Sequence, residues 1–420
     1  MNETLSQSRD VRFGHRSWWL TPRRLRMHAF IIAACLWPLY LWTMATPGLV
    51  DRNGNVKGTD FLHFYTLGSF AAAHRGADLY DMKAAEALVS GRVPAATGKR
   101  YLPLYPPQVS LLFLPLAYLA YPWALAVWWC CSGVLYAICC YSVWRCCGNL
   151  QDQGLTVVLA ALAFPAFFHL IAWGQTSALA LACFTGTFLL LRQRRQVLAG
   201  LVLGCLIFKP QLGLAAAIVF ALSGAWRVVL GAFVSATAQL AAGVLYFGVE
   251  PLRVWLVALR TVPTQWRWLE PRPYQTHSLR TFWAILIPWG NLALPLYVVS
   301  AVFVLAIAVS MWRRKQTVPL ELRFSALLLA TVLVAPHLTV YDLVILAPAL
   351  LLTSDWLVGT RIQSRLWHRL GLLLYLVYVL PLVSPIVQWS HLQLSVIAMA
   401  ATVYVIWRAA QLEQINATPR

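Results

Sequence analysis

Charge is what this sequence has least of. Asp and Glu number 14 among 420 residues, and charged residues of all kinds make up 11%, against 60% hydrophobic residues. With a mean hydropathy of +0.66, this excludes an ordinary soluble domain and points to a polytopic membrane protein. The period-two alternation of a membrane barrel is missing too, so the spans are helices, which satisfy their own backbone groups in lipid. There is no Walker loop, no dinucleotide fingerprint and no cytoplasmic domain, which argues against direct use of ATP or of a nucleotide sugar held in a Rossmann-type domain. Internal repeats are not visible and acids are nearly absent from span interiors, which weighs against a transporter. The nine cysteines, including the pairs Cys130-Cys131, Cys139-Cys140 and Cys146-Cys147, lack metal-site spacing and read as small apolar packing residues.

What is present is basic charge in short loops. Lys and Arg total 33 and cluster at Arg192, Arg194 and Arg195 and at Arg313, Arg314 and Lys315, the pattern of cytoplasmic loops rather than a nucleic-acid surface. Residues 1–26, with Arg9, Arg12, Arg16, Arg23, Arg24 and Arg26, are expected to be a cytoplasmic segment ahead of an uncleaved anchor at 28–46. The rest is expected to be one all-α transmembrane domain, 27–409, with on the order of eleven to thirteen helices and a cytoplasmic tail at 410–420. Apolar runs lie at 123–144, 155–172, 177–191, 197–208, 212–225, 228–249, 294–312, 322–335, 340–356, 370–387 and 392–407. Residues 103–122, broken by five prolines, either span or dip. With basic loops inside, the outer face receives 47–103, Gly174-Gln175, Lys209 to Gln211, the loop 250–280 and Pro336-His337.

The unusual polar residues gather on that outer face. The first loop, 47–103, holds five of the acids: Asp51, Asp60, Asp78, Asp81 and Glu86. Phe61, Phe64, Tyr65 and Phe70 predict a short amphipathic helix lying on the membrane surface, and residues 80–90 a second. Asp60 is either the N-cap of the first helix or a proton acceptor beside His63, one turn on. Asp51 reads as a turn residue, and Asp78 and Asp81 as helix-start chemistry. Lys209 interrupts "LIFKPQLGL" and must face protein, water or an anion; a lipid phosphate is the expected partner. Gln175 in "WGQTS" is a sugar ligand or a polar turn. His337 in "APHLTVYD" is placed to contact phosphate or sugar, with Asp342 as its partner or as a helix-start charge. Trp255, Trp266, Trp268 and Tyr274, among Arg253, Arg260, Arg267, Arg272 and Arg280, form an interfacial belt or a platform for sugar and phosphate.

"TDFLHFYTLGSFAAAHRGADLYD", "YLPLYPPQVSLLFLPL", "WGQTSALALACFTGTFLLLRQRRQVLAGLVLGCLIFKPQLGL" and "APHLTVYDLVILAPALLL", in this order, resemble glycosyltransferase family 87, the integral-membrane polyprenyl-phosphate-sugar-dependent transferases of the C-type fold. The resemblance implies an inverting transfer of a sugar, typically mannose, from a polyprenyl-phosphate donor to a hydroxyl of a lipid or glycan acceptor at the periplasmic face of a bacterial inner membrane. It further implies that Asp60 is the catalytic base. Lys209, His337, Gln175, Gln211 and Arg280 then serve the donor phosphate and sugar, and His63, Tyr65, Tyr105 and His277 the acceptor or a supporting role. No metal or other cofactor and no nucleic acid is expected. Where the family has an "NQS"-like stretch this chain has "YQTHSLR", so His277-Ser278 departs from the pattern. The competing readings are a transporter or flippase of lipid-linked sugars and a periplasmic-face polysaccharide polymerase or ligase.

Overall fold

The computed structural model describes residues 21–265, 270, 272–360 and 365–417. Among these, seven helices are long and apolar enough to cross a membrane: Pro22–Met44, Tyr121–Trp144, Trp226–Phe247, Gly290–Arg313, Val340–Gly359, Leu366–Ser390 and Leu394–Leu412. An eighth crossing results if Gln151–Leu162 and Pro165–Trp173, bent by 46°, are one span. Pro165 opens the second piece, where its ring and missing N–H interrupt the helical ladder. Ser177–Arg192, Gln196–Phe208 and Pro210–Leu222 are shorter apolar helices. The protein is therefore an all-helical, multi-pass membrane protein without strands among the described residues, but with fewer full-length crossings than its apolar runs suggest. Hydropathy counts runs such as 197–208 and 212–225 as spans by their greasiness, whereas the corresponding helices, Gln196–Phe208 and Pro210–Leu222, are short, the first ending in a 3-10 turn before Lys209 and the second opened by Pro210. Arg9, Arg12, Arg16, Trp266, Arg267 and Trp268 lie outside the described residues.

Leu320–Val334 is the hub of the larger core. Eleven of its 15 residues are buried, as expected of a helix apolar on every side, and it packs against Pro210–Leu222, Gly290–Arg313, Ala347–Gly359 and Leu394–Ala417. Gly290–Arg313 in turn leaves Val298, Val299, Val302 and Phe303 exposed, the surface that lipid covers. Cys139, Cys140 and Cys147 belong to this core as free thiols, in keeping with a packing role.

The first loop differs from its expected form. Thr59–Ala72 is not a half-buried surface helix: every residue from Phe61 to Ala71 except His63 is buried, because Phe61, Leu62, Phe64, Tyr65, Leu67 and Phe70 spread around the whole helix. It forms a second core with Phe113 and Trp128, the Phe64 and Phe113 rings stacking at 4.9 Å. At Gly68 an added Cβ would lie 2.3 Å from the Phe113 carbonyl oxygen, so glycine is what lets the two segments meet. Residues 103–122 supply this packing through the short helices Val109–Phe113 and Pro115–Tyr118, neither long enough to cross a membrane. The second loop helix is Met82–Arg92, with Asp81 as N-cap accepting from the Lys83 and Ala84 amides. Asp78 pairs with Arg75 at 2.6 Å, and Asp51 accepts from the amides of Asn53 and Asn55, each at 2.9 Å. Three of the loop's acids thus have local structural work.

Candidate active site

Asp60 does not cap its helix. The N-cap is Gly58, in the left-handed region, and the first turn carries Asp60 with no side-chain cap bond. Its Oδ2 instead accepts a 2.6 Å hydrogen bond from Nε2 of Gln175, 115 residues away. Burial pushes the Asp60 carboxyl up to about 6; the Gln175 bond and the charge of Lys209 oppose that rise, and Asp342 adds to it. The "WGQTS" turn that brings Gln175 there is held by Gly174, whose φ of +71° ends Pro165–Trp173. An added Cβ at Gly174 would come within 2.7 Å of Phe61 Cβ, and Trp128 Nε1 donates to the Gly174 carbonyl at 2.9 Å.

Two residues further on, Ser177 enters a buried cluster. Lys209 Nζ ion-pairs with Asp342 and donates to Ser177 Oγ at 3.0 Å, and Ser177 itself donates to Asp342. Lys209 and Asp342 are only 4% exposed each. The other Asp342 oxygen accepts from the amide and hydroxyl of Thr339 in a capping box that starts the Val340–Leu346 turn. The partner of Lys209 in this structure is therefore a protein carboxylate, and the hydrogen-bond and ion-pair partners of Asp342 are Lys209, Ser177 and Thr339 rather than His337. Gln211 sits in the first turn of the helix that Pro210 opens.

His337 lies between the hub helix and that turn. Burial lowers its proton affinity to about 4; Asp342 raises it, and Lys209 and Arg280 lower it further, so His337 is neutral at physiological pH and Arg280 is close enough to act on it. The neighbouring Thr276 and Thr339 form a β-bridge, and the His277 amide donates to Leu338 at 2.9 Å, which joins the end of the second long loop to the His337 segment.

Tyr105 also faces the Asp60 region, and His63 packs against it. The His63 ring lies 5.1 Å from Tyr101 and 5.7 Å from Tyr105, its Nε2 is buried without a hydrogen-bond partner, and burial pushes it down to about 4. Tyr101 donates to the Thr59 carbonyl. The Tyr105 hydroxyl is held well above its ordinary value, by burial first and then by the nearby Asp342 and Asp60.

Two expected site residues are occupied elsewhere. Tyr65 donates to the Leu119 carbonyl at 2.8 Å and lies under Arg92, tying the loop helix to the Pro115–Tyr118 turn. His277 is fully buried, with Nδ1 2.7 Å from Ser395 Oγ and Nε2 3.4 Å from Ser384 Oγ. It clips the second loop to the C-terminal helices, and its low proton affinity, about 3 through burial, suits that enclosed neutral role. Trp255 is also structural: it is buried, and its Nε1 donates to the Leu104 carbonyl at 3.0 Å.

One group was missed in the sequence. Glu270 is pushed up to about 7, chiefly by burial and then by Asp60, with the Arg272 amide and charge opposing. It is the lone acid between residues 251 and 320, a scarcity that singles it out among the loop's arginines and tryptophans. Among the described residues no group of three or more His, Cys, Asp or Glu side chains is arranged to hold a metal ion.

The model of glycosyltransferase family 87 matches residues 104–336, more than half of the chain. The chain belongs to glycosyltransferase family 87. This family-87 protein is thus a membrane-embedded glycosyltransferase whose matched stretch includes Gln175, Lys209, Glu270 and Arg280, while Asp60, His337 and Asp342 flank it. No curated protein and no solved structure matches the chain.

Proposed function

We propose that this glycosyltransferase moves a sugar, typically mannose, from a polyprenyl-phosphate donor to a hydroxyl of a lipid or glycan acceptor, with inversion, at the periplasmic face of a bacterial inner membrane. The observation that carries the reading is Asp60: a partly buried carboxylate with raised proton affinity, bonded through one oxygen to a neutral amide, in a family-87 chain. The acceptor oxygen attacks the anomeric carbon, its proton passes to Asp60, and the bond from that carbon to the phosphate oxygen breaks with its electron pair leaving on the phosphate. A base whose pKa lies near the operating pH suits this step.

Arg280 and neutral His337 offer N–H groups for the phosphate, Gln211 lines the approach from the Pro210 helix, and His63 and Tyr105 line the acceptor side. Lys209, already paired with Asp342, contributes its positive field rather than a free ammonium. Basic loops at Arg192 to Arg195 and Arg313 to Lys315 support the orientation. Mass spectrometry of polyprenyl-linked, lipid-linked and surface glycans in cells with and without the gene tests the reading. The expected result is one hexose missing from a defined acceptor, restored by the wild-type chain and not by Asp60→Asn. An unchanged glycan inventory, or restoration by Asp60→Asn, contradicts it.

A further inference from the structure

The amide of Gln175 leaves little freedom in its assignment. Its Oε1 accepts from the Thr176 amide at 3.3 Å, so the NH2 group faces Asp60, the only orientation that suits a carboxylate. The side chain is buried and its turn is fixed on three sides: by the contact of Gly174 with Phe61, by the Trp128 bond to the Gly174 carbonyl, and by Ser177 within the Lys209–Asp342 pair. We propose that Gln175 is a positioning residue for Asp60, holding one carboxylate oxygen by its amide and leaving the other for the acceptor's proton, rather than a ligand for the donor sugar.

The same bond favours the charged carboxylate and so offsets part of the effect of burial. Other groups act on Asp60 from every side: Lys209 at the start of the Pro210 helix, Asp342 and Tyr341 in the turn after Thr339, Glu270 in the second loop, Tyr101 and Tyr105 after the second loop helix, and Tyr121. None of these is moved by a substitution confined to the Gln175 amide, so the contribution of that amide can be read alone. The inference rests on Asp60 as the base only for its catalytic consequence; the hydrogen bond and its effect on protonation stand without it.

The test is an infrared pH titration of the detergent-purified full chain without substrates, the Asp60 band being identified by its loss in Asp60→Asn. The wild-type midpoint is expected near pH 6. Gln175→Met, of similar length and without a donor, should raise it by about one pH unit or more, since a hydrogen bond to a charged group carries roughly that weight. Gln175→Asn, which withdraws the amide by one methylene, should raise it less and provides the measurement if Gln175→Met does not fold. A midpoint unchanged in a folded variant overturns the proposal. If the midpoint moves while Asp60→Asn still transfers sugar, the positioning holds and the catalytic reading of Asp60 falls.

Discussion

Asp60 and Asp342 stand at opposite ends of one short turn, Gln175 to Ser177, and their surroundings differ in kind. Asp342 receives a lysine, a serine and both donors of Thr339, so its charge is matched and its lone pairs are largely used. Asp60 receives one neutral amide and keeps a raised proton affinity. A carboxylate that only braces a fold is given partners on both oxygens, as Asp342 is; one that must take up a proton is left short of them, as Asp60 is. Proximity in the same buried region makes the contrast one of partners, not of place.

The largest stability effect should come from removing the partner of the satisfied acid. Lys209→Met strands Asp342 and is expected to cost about 3–5 kcal/mol, with most of the loss recovered in Lys209→Met/Asp342→Leu. Thermal unfolding in detergent measures both; a stable single variant would mean that Lys209 is free for phosphate after all. Next is Gly174→Ala, which forces a side chain into a left-handed position and against Phe61, at roughly 1–3 kcal/mol, and should slow transfer by displacing Gln175.

Because the folded-state pKa of Asp60 lies above the ordinary 3.8, the native protein holds an extra proton between that value and about 6, and its stability falls as pH rises through this window. Asp60→Asn removes the burden and should raise stability at pH 7 by roughly 1–3 kcal/mol, while matching the wild type below about pH 4. Transfer by the wild type runs the other way: it should fall about tenfold per pH unit below about 6, with His63 and His337 titrating lower, near 4. The smallest effect belongs to Asp51→Asn, whose turn bonds an amide oxygen can replace; a change within about 0.5 kcal/mol and unaltered transfer are expected.

Much of this was legible in the residues. Scarcity of charge marked a helical membrane protein, and the same scarcity made Asp60, Lys209 and His337 conspicuous. Pairings were not legible, because Gln175 meets Asp60 across 115 residues and Asp342 meets Lys209 across 133, distances at which only the packed helices decide who touches whom. The burial of the first loop helix was readable from its apolar residues on all sides, once a partner such as Phe113 was allowed for. The surroundings of His277 were hidden in the same way as those pairings: Ser384 and Ser395, which enclose it, come from the end of the chain.

Whether Asp60 takes the proton is read from purified Asp60→Asn, with sugar transfer and thermal unfolding measured on one preparation. Transfer is expected to fall by at least about a thousandfold, in the range of lost acid–base catalysis, from a protein at least as stable as the wild type at pH 7. Transfer at a near wild-type rate from that stable protein would contradict it.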